Sequence, residues 1–343
     1  MAAAIAGLGR QFVEGYDAGL RALGGDAGAV APATPARPDG IAVCGMGGSA
    51  IGGEVVLATA GELAVPAAVV RGYDLPAWVR PTTLVVAVSY SGETEETLAC
   101  VETALSRGCR PVCVASGGRL AAIAAAEGLP AVSVPAGLQP RAALGVLATP
   151  VAAALAHAGL CADLAADVAE AEAVLDQLAS DLAPEVPEEA NGAKALARRL
   201  AARLVLACGA GVTTPVARRW KTQVNENAKA PAFWAELPEL DHNEIEGWSS
   251  LPELAAGTQV VLLEDPEWPA RLARRAHLTA AELAAHGAGV ERLTARGSAP
   301  LARAASLIGL GDWVSYYLAL LYGVDPTPVA AIESFKRRLA AGE

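Results

Sequence analysis

Short apolar runs recur along the chain, each closed by glycine, proline or a hydroxyl residue and followed by a longer stretch with helical spacing. From Gly40 the order is IAVCG, a glycine-rich turn and a helix; AAVVRG; TTLVVAVS, a polar loop and a helix over 95–107; PVCVAS and a helix; then AVSVP. Apolar runs of this length bounded by turn signals read as strands buried on both faces, and their alternation with helices predicts a parallel sheet with crossover connections. Helical spacing rich in alanine, leucine and acidic residues continues from about 143 to 182, and the acidic segment APEVPEEAN at 183–191 reads as a lobe boundary. A second series follows: RLVLACG, a Gly-Ala-Gly turn, the helix TPVARRWKTQVNENAKA, a loop, TQVVLLED, the helix PARLARRAHLTAAELAAHG, VERLTA, and helices to the end. Strand, glycine turn and helix thus occur at 41–58 and again at 203–220, which predicts a duplicated α/β fold. The expected organisation is an N-terminal lobe over 1–150, a helical connector over 151–190 and a C-terminal lobe over 191–343.

Composition narrows the class. The 343 residues are 53% hydrophobic and 18% charged, enough to bury a large core in two lobes. Much of that apolar count is alanine, so two stretches need separate reading. Residues 1–25 carry Arg10, Glu14 and Asp17 early, which fits an amphipathic first helix and not a signal peptide. Residues 142–162 have no formal charge but contain Pro150 and His157 and read as a buried helix, not a membrane span. The net charge of -11 argues against nucleic-acid and anionic-membrane surfaces, which need clustered Lys and Arg. The cysteines at 44, 100, 109, 113, 161 and 208 sit in apolar contexts, and the Cys109–Cys113 spacing has no second pair to complete a zinc site. They read as reduced thiols of a cytoplasmic protein.

Three segments carry candidate chemistry. CGMGGSAIGG at 44–53 follows a strand and opens a helix, loosely matching a dinucleotide fingerprint. The following strand ends in Arg71 where a ribose-binding acid would be needed, which weighs against an NAD enzyme; the glycines could equally serve a tight turn. AVSYSGETEET at 87–97 places Ser89, Ser91 and Thr94 around Gly92 ahead of a helix, an arrangement suited to a phosphate monoester that Ser49 could also reach. The same residues also suit plain helix capping, with Glu93, Glu95 and Glu96 at the positive end of the dipole. The densest polar block, residues 220–248, sets Asn225, Glu226, Asn227 and Lys229 at a helix end and Asp241, His242, Asn243 and Glu244 in a loop between aromatics. A carboxylate and an imidazole there make an acid/base pair, whereas a metal set of His242, Glu226 and Glu244 lacks a supporting spacing. His157, His277 and His286 fall within helical patterns without polar company and read as core or surface residues.

GMGGSAIGGE, SYSGETEET and NENAKAPAFWAELPELDHNEIEGW, with PRAALG at 140–145 and the terminal DPTPVAAIESFKRRL, together resemble the bifunctional phosphoglucose/phosphomannose isomerases of the sugar isomerase (SIS) fold. The resemblance runs from about residue 40 to the C-terminus. It implies two SIS lobes, each a parallel sheet wrapped by helices, with the active site between lobes and across a homodimer interface. Carried over motif by motif, Gly47, Gly48, Ser49, Ser89, Ser91 and Thr94 would bind the 6-phosphate of a hexose, with Pro140 and Arg141 nearby. Glu226 would move the proton between C1 and C2, and His242 of the partner together with Lys336 would assist ring opening; no metal or other cofactor is implied. Glu93 stands where the family usually has asparagine; a carboxylate beside a dianionic phosphate is unfavourable unless it points away, so Glu93 is left out of the candidate site and its orientation is open. The alternative is a non-catalytic SIS regulator, which would need the phosphate loops but not Glu226, His242 and Lys336 together.

Overall fold

The computed structural model describes residues 1–24 and 34–342. Two helices, α1 (Ala2–Ala6) and α2 (Leu8–Leu23), precede β1 (Ile41–Cys44), α3 (Gly47–Thr59), β2 (Ala67–Val70), β3 (Leu84–Val88), α4 (Glu95–Ser106), β4 (Val112–Ala115), α5 (Gly118–Ala126) and β5 (Ala131–Ser133). Helices α6 (Leu144–His157), α7 (Ala165–Asp181) and α8 (Gly192–Leu200) lead to β6 (Leu204–Gly209), α9 (Thr214–Asn227), β7 (Ala232–Glu236), α10 (Pro252–Ala256), β8 (Thr258–Glu264), α11 (Ala270–Ala285), β9 (Gly289–Thr294), α12 (Pro300–Leu321) and α13 (Ala330–Ala340).

Every strand pairs in parallel, in the orders β2-β1-β3-β4-β5 and β7-β6-β8-β9. The two orders follow one plan: the first strand of each half lies inside, the second goes to one edge, and the rest build outward on the other side. The winding reverses between β1 and β3 in the first half and between β6 and β8 in the second, and such reversals open a crevice at the carboxyl ends of the strands. The expected duplication is therefore present in the topology.

One element differs from the sequence expectation. The segment between α9 and β8 contains an edge strand, β7, in register with β6 from Val205 opposite Ala232 to Gly209 opposite Glu236. Ala232 and Ala235 are buried while Phe233 is 56% exposed. Flanking Pro231 and Pro238, and buried alanines at 232 and 235 that fall on opposite faces, hide the alternation that would reveal it.

The core is continuous between the halves. Helix α12 runs through it with Leu307, Ile308, Trp313 and Val314 buried, and Trp220 of α9 donates its indole N–H to Leu307 O at 2.8 Å. By length and composition α12 could cross a membrane, yet 78% of its apolar window is buried inside the protein, as expected of a core helix. Helix α6 is the buried helix expected at 142–162, with Leu144 through Leu155 enclosed, and Val168, Ala171, Leu175 and Leu178 of α7 pack into the same cluster. The boundary segment ends at Asn191, whose buried side chain accepts from Lys194 N at 3.1 Å and so caps α8.

Candidate active site at the junction of the lobes

Because β1 and β3 are neighbours, with Cys44 opposite Ala87, the loops that follow them leave the sheet side by side. The first enters α3 through Gly47, at φ 50°, and buried Ser49; the second enters α4 through Ser89 to Thr94. Both helices aim their first-turn N–H groups, which lack intrahelical acceptors, at the same crevice. The Ser89 and Thr94 hydroxyls lie 2.9 Å apart, Ser89 Oγ accepts from Gly92 N at 3.1 Å, and Ser91 Oγ accepts from Glu93 N at 3.2 Å. Thr94 occupies the N-cap position of α4 without capping it, since its hydroxyl faces Ser89. Side-chain capping of α4 by Thr94, one of the two expectations for this loop, is therefore absent.

A neighbouring loop fixes this turn. Tyr90 O accepts from Ser116 N at 2.9 Å and Ser116 Oγ at 2.7 Å, and Gly92 O accepts from Leu120 N at 3.0 Å. Gly92 adopts φ 71°, and a β-carbon there would lie 2.0 Å from Gly117 O, so no larger residue fits. The Glu93 carboxylate, whose orientation the sequence leaves open, turns to the neighbouring loop: its Oε1 accepts from Arg119 N at 2.8 Å, in the first turn of α5.

The tight turn at Pro140–Ala142 connects this crevice to the second lobe. A β-carbon on Gly48 would lie 3.2 Å from Pro140 O, so the turn abuts the start of α3. The Arg141 side chain, 3% exposed, points the other way. Its Nε donates to Asn227 Oδ1 at 2.7 Å, its Nη2 donates to Pro326 O at 2.5 Å and Thr327 O at 2.8 Å, and its Nη1 lies 3.6 Å from Glu226 Oε2. The resemblance sets Arg141 near the phosphate; the structure sets its guanidinium beside the candidate base. Burial pulls its pKa down from the ordinary value, and the Glu226 charge opposes that shift.

Glu226 lies on the last turn of α9, 26% exposed. Around it, Asn227 Nδ2 donates to Ser315 Oγ at 2.9 Å and Asn225 Nδ2 to Ala230 O at 2.9 Å. Lys229 stands at φ 58°, a conformation costing a non-glycine residue about 1 kcal/mol or more. Its Nζ donates to Glu226 O and Pro328 O, each at 2.5 Å, which holds the strained residue in place. Desolvation lowers the Lys229 pKa, with the Arg141 charge acting in the same direction.

Beneath these groups is a network that the sequence alone does not reveal. Arg219 and Asp312, 1% and 3% exposed, pair through Nε–Oδ1 at 3.1 Å and Nη2–Oδ2 at 2.6 Å, and Gln223 Nε2 donates to Asp312 Oδ1 at 2.7 Å. Arg219 Nη2 also donates to Arg141 O at 2.9 Å. The available signal was a lone aspartate inside the apolar helix α12, together with Arg219 and Gln223 one turn apart on α9.

His242 is not brought to this cluster within one chain. It ends the turn Glu239–His242 past the far end of β7, is exposed, and is separated from Glu226 by a strand that spans about 13 Å at the usual rise per residue. Glu226 therefore does not share a ligand set with His242 and Glu244, and among the described residues no group of three or more His, Cys, Asp or Glu is arranged to hold a metal ion. Lys336 is exposed on α13, whose start lies two residues beyond the segment 326–328 held by Arg141 and Lys229.

Comparison with known proteins identifies the family and the fold. Residues 189–339 match the family model described as the bacterial phospho-glucose isomerase C-terminal SIS domain. A bifunctional phosphoglucose/phosphomannose isomerase of Caldicellulosiruptor bescii is 40% identical over 304 residues, covering 88% of this chain and 90% of that one. A protein of the same name from Aquifex aeolicus is 37% identical over 302 residues, covering 88% and 90%. In three dimensions, the crystal structure of a hypothetical protein from Thermus thermophilus superposes with TM-score 0.75 at 20% identity, covering 99% of this chain and 90% of that one, a likeness of fold. With relatives this similar over nearly its whole length, the chain belongs to the family of bifunctional phosphoglucose/phosphomannose isomerases and is an isomerase.

Proposed function

We propose that the protein interconverts glucose 6-phosphate and mannose 6-phosphate with fructose 6-phosphate through a cis-enediol, in an active site completed by a second copy of the chain. The observation that carries this reading is the turn at Pro140–Ala142, which packs against the crevice at α3 while Arg141 lies 3.6 Å from Glu226. An anion cradle and a candidate base are thereby joined through one short, buried connection. Held at the 6-phosphate by Gly47, Gly48, Ser49, Ser89, Ser91 and Thr94, a hexose has its reacting end oriented by binding energy gathered far from the chemistry.

In the proposed mechanism, His242 of the partner subunit, assisted by Lys336, delivers a proton to the ring oxygen as the C1 hydroxyl loses one, opening the ring. Glu226 then removes the C2 proton of the aldose and returns it to C1, while a proton moves from the C2 hydroxyl to O1. A single carboxylate serves both transfers, and the two C2 epimers share one enediol. Arg141, fixed by Asn227, Pro326 and Thr327, is placed to stabilise negative charge developing near Glu226. The position of His242 beyond β7 supports a shared site. The free cysteines, all but Cys161 buried, support a reducing, cytoplasmic setting.

The direct test is formation of fructose 6-phosphate from each aldose by chelator-treated protein; no product from either would refute the activity. Glu226→Gln should lower kcat by about 10²–10⁴-fold with substrate still bound, and a fully active variant would remove Glu226 from the base role. For sharing, folded His242→Ala and Glu226→Gln proteins that exchange subunits should recover about a quarter of wild-type activity, because half the dimers are mixed and each holds one intact site. No recovery would refute a site shared between subunits.

A further inference from the structure

The turn that carries His242 is tied to α11 by a single buried carboxylate. Asp241, whose side chain is 8% exposed, accepts from Thr279 Oγ1 at 2.6 Å and from Arg275 Nη1 at 3.0 Å. Thr279 and Arg275 are one turn apart on α11, so both face the carboxylate. On the chain side before Asp241, Leu240 is fully buried in the cluster that includes Leu237, Ala280 and Leu283. Among the described residues the His242 imidazole has no hydrogen-bond partner, and Asn243 bonds only within the loop, to Glu239 Oε1 and Glu244 N. An open groove of about 710 Å³ runs along α11 beside Asp241, Arg275 and Thr279, while past the turn Ile245 and Trp248 pack against the same apolar cluster as Leu240.

An imidazole with no partner in its own chain cannot be aimed by its own contacts; the backbone on either side must aim it. Leu240 supplies an apolar anchor and Asp241 a polar, directional one. We propose that Arg275 and Thr279 are positioning residues for the isomerase: acting through Asp241, they set the place at which His242 is presented to the partner subunit's site. This rests on the ring-opening role given to His242 above. Proton transfer requires donor and acceptor within about 2.6–3.2 Å, so a loosened turn should damage ring opening before anything else.

The test uses the full-length enzyme and two readouts: isomerisation, and anomerisation of α-glucose 6-phosphate followed by magnetic-resonance exchange, which needs ring opening but no transfer between carbons. The double variant Arg275→Met/Thr279→Val should lose about ten- to a hundredfold in ring opening, the scale of a ~1 Å misplacement, with KM little changed. Thr279→Ser keeps the hydroxyl and should retain activity. Adding His242→Ala to the double variant should cause no loss beyond that of His242→Ala alone, because the residues act through one group. Losses that add, or wild-type ring opening in the double variant beside an impaired His242→Ala, overturn this inference and leave the role of His242 standing. Wild-type ring opening in His242→Ala overturns that role and this inference with it. If Thr279→Val does not fold, Arg275→Met alone, at a side chain 35% exposed, decides the same comparison.

Discussion

Asp312→Ala isolates the buried electrostatics under the site. Asp312 accepts two bonds from Arg219 and one from Gln223, and truncation leaves Arg219, 1% exposed, with Arg141 O as its remaining acceptor. Removing one partner from a buried pair leaves an uncompensated charge and costs about 3–5 kcal/mol. With unfolding entropy of ~2.1 cal/mol/K per residue, 343 residues correspond to ~0.7 kcal/mol/K, so Tm should fall by about 4–7 °C. Scanning calorimetry or circular dichroism measures this directly. Two comparisons give the result its meaning. Glu14→Ala breaks the exposed pair with Arg10 and should hardly move Tm. Arg219→Met in the Asp312→Ala background replaces the stranded charge by an apolar side chain and should recover part of the loss. Because Arg219 also holds the Arg141 main chain, kcat should fall at temperatures where Asp312→Ala is still folded. A Tm within about 1 °C of the parent would refute the claim that this pair supports the site.

Gly92→Ala should destabilise by more than the ~1–2 kcal/mol of a left-handed alanine, since its β-carbon would strike Gly117 O; the same change should raise KM for the phosphorylated substrate, and an unchanged melt would refute the tight approach of the two loops. Alkaline stability offers an independent check. Burial, then the hydrogen bond to Asp163, raises the Tyr16 pKa to about 12, above the ordinary 10. The fold therefore favours the neutral phenol, and its contribution is complete below pH ~10 and lost as pH rises toward 12. Tyr16→Phe should flatten the fall in stability across that window, leaving the part due to Tyr317, also raised to about 12, and to the thiols that burial pushes up, Cys113 among them; an unchanged slope would refute the assignment.

The sequence displayed the fold wherever periodicity was unambiguous. Strands β1, β3, β6 and β8 are buried on both faces, so their composition is apolar throughout and their positions follow from it. Strand β7 escaped because an edge strand of five residues needs only two apolar contacts, here supplied by alanine. The site was legible to different depths. Hydroxyl and glycine loops at strand ends suggest an anion cradle through local chemistry, and the structure gathers Ser89, Gly92 and Thr94 into one turn. Arg141 was visible as a residue but not in its direction, because its partners at 226, 227, 326 and 327 lie far along the chain. The same separation concealed the Arg219–Asp312 pair. Glu93 could be judged only as a charge in an awkward place; the acceptor role toward Arg119 N depends on how α5 approaches.

The duplicated plan also shows why the two lobes contribute differently. A β-carbon built on Gly47 after β1 and one on Gly211 after β6 would each meet nothing within 4 Å, so the two turns differ in their hydrogen bonds and not at these glycines. At the corresponding place after β6 the turn closes on itself: Thr213 Oγ1 donates to Leu263 O at 2.8 Å and accepts from Ala210 N at 3.0 Å, and Trp268 Nε1 donates to Ala210 O at 3.2 Å. The Thr213 hydroxyl and the Ala210 main chain are thereby engaged within the second lobe. The second lobe instead presents its polar chemistry at the ends of α9 and β7. Helix α9 runs opposite to its strands, so Glu226 emerges at the edge where β7 begins and meets Arg141 from the first lobe, whereas His242 emerges where β7 ends. Within one chain Glu226 and His242 thus lie at opposite ends of the same strand. Under the mechanism proposed above, that separation is the reason His242 is assigned to a second copy of the chain.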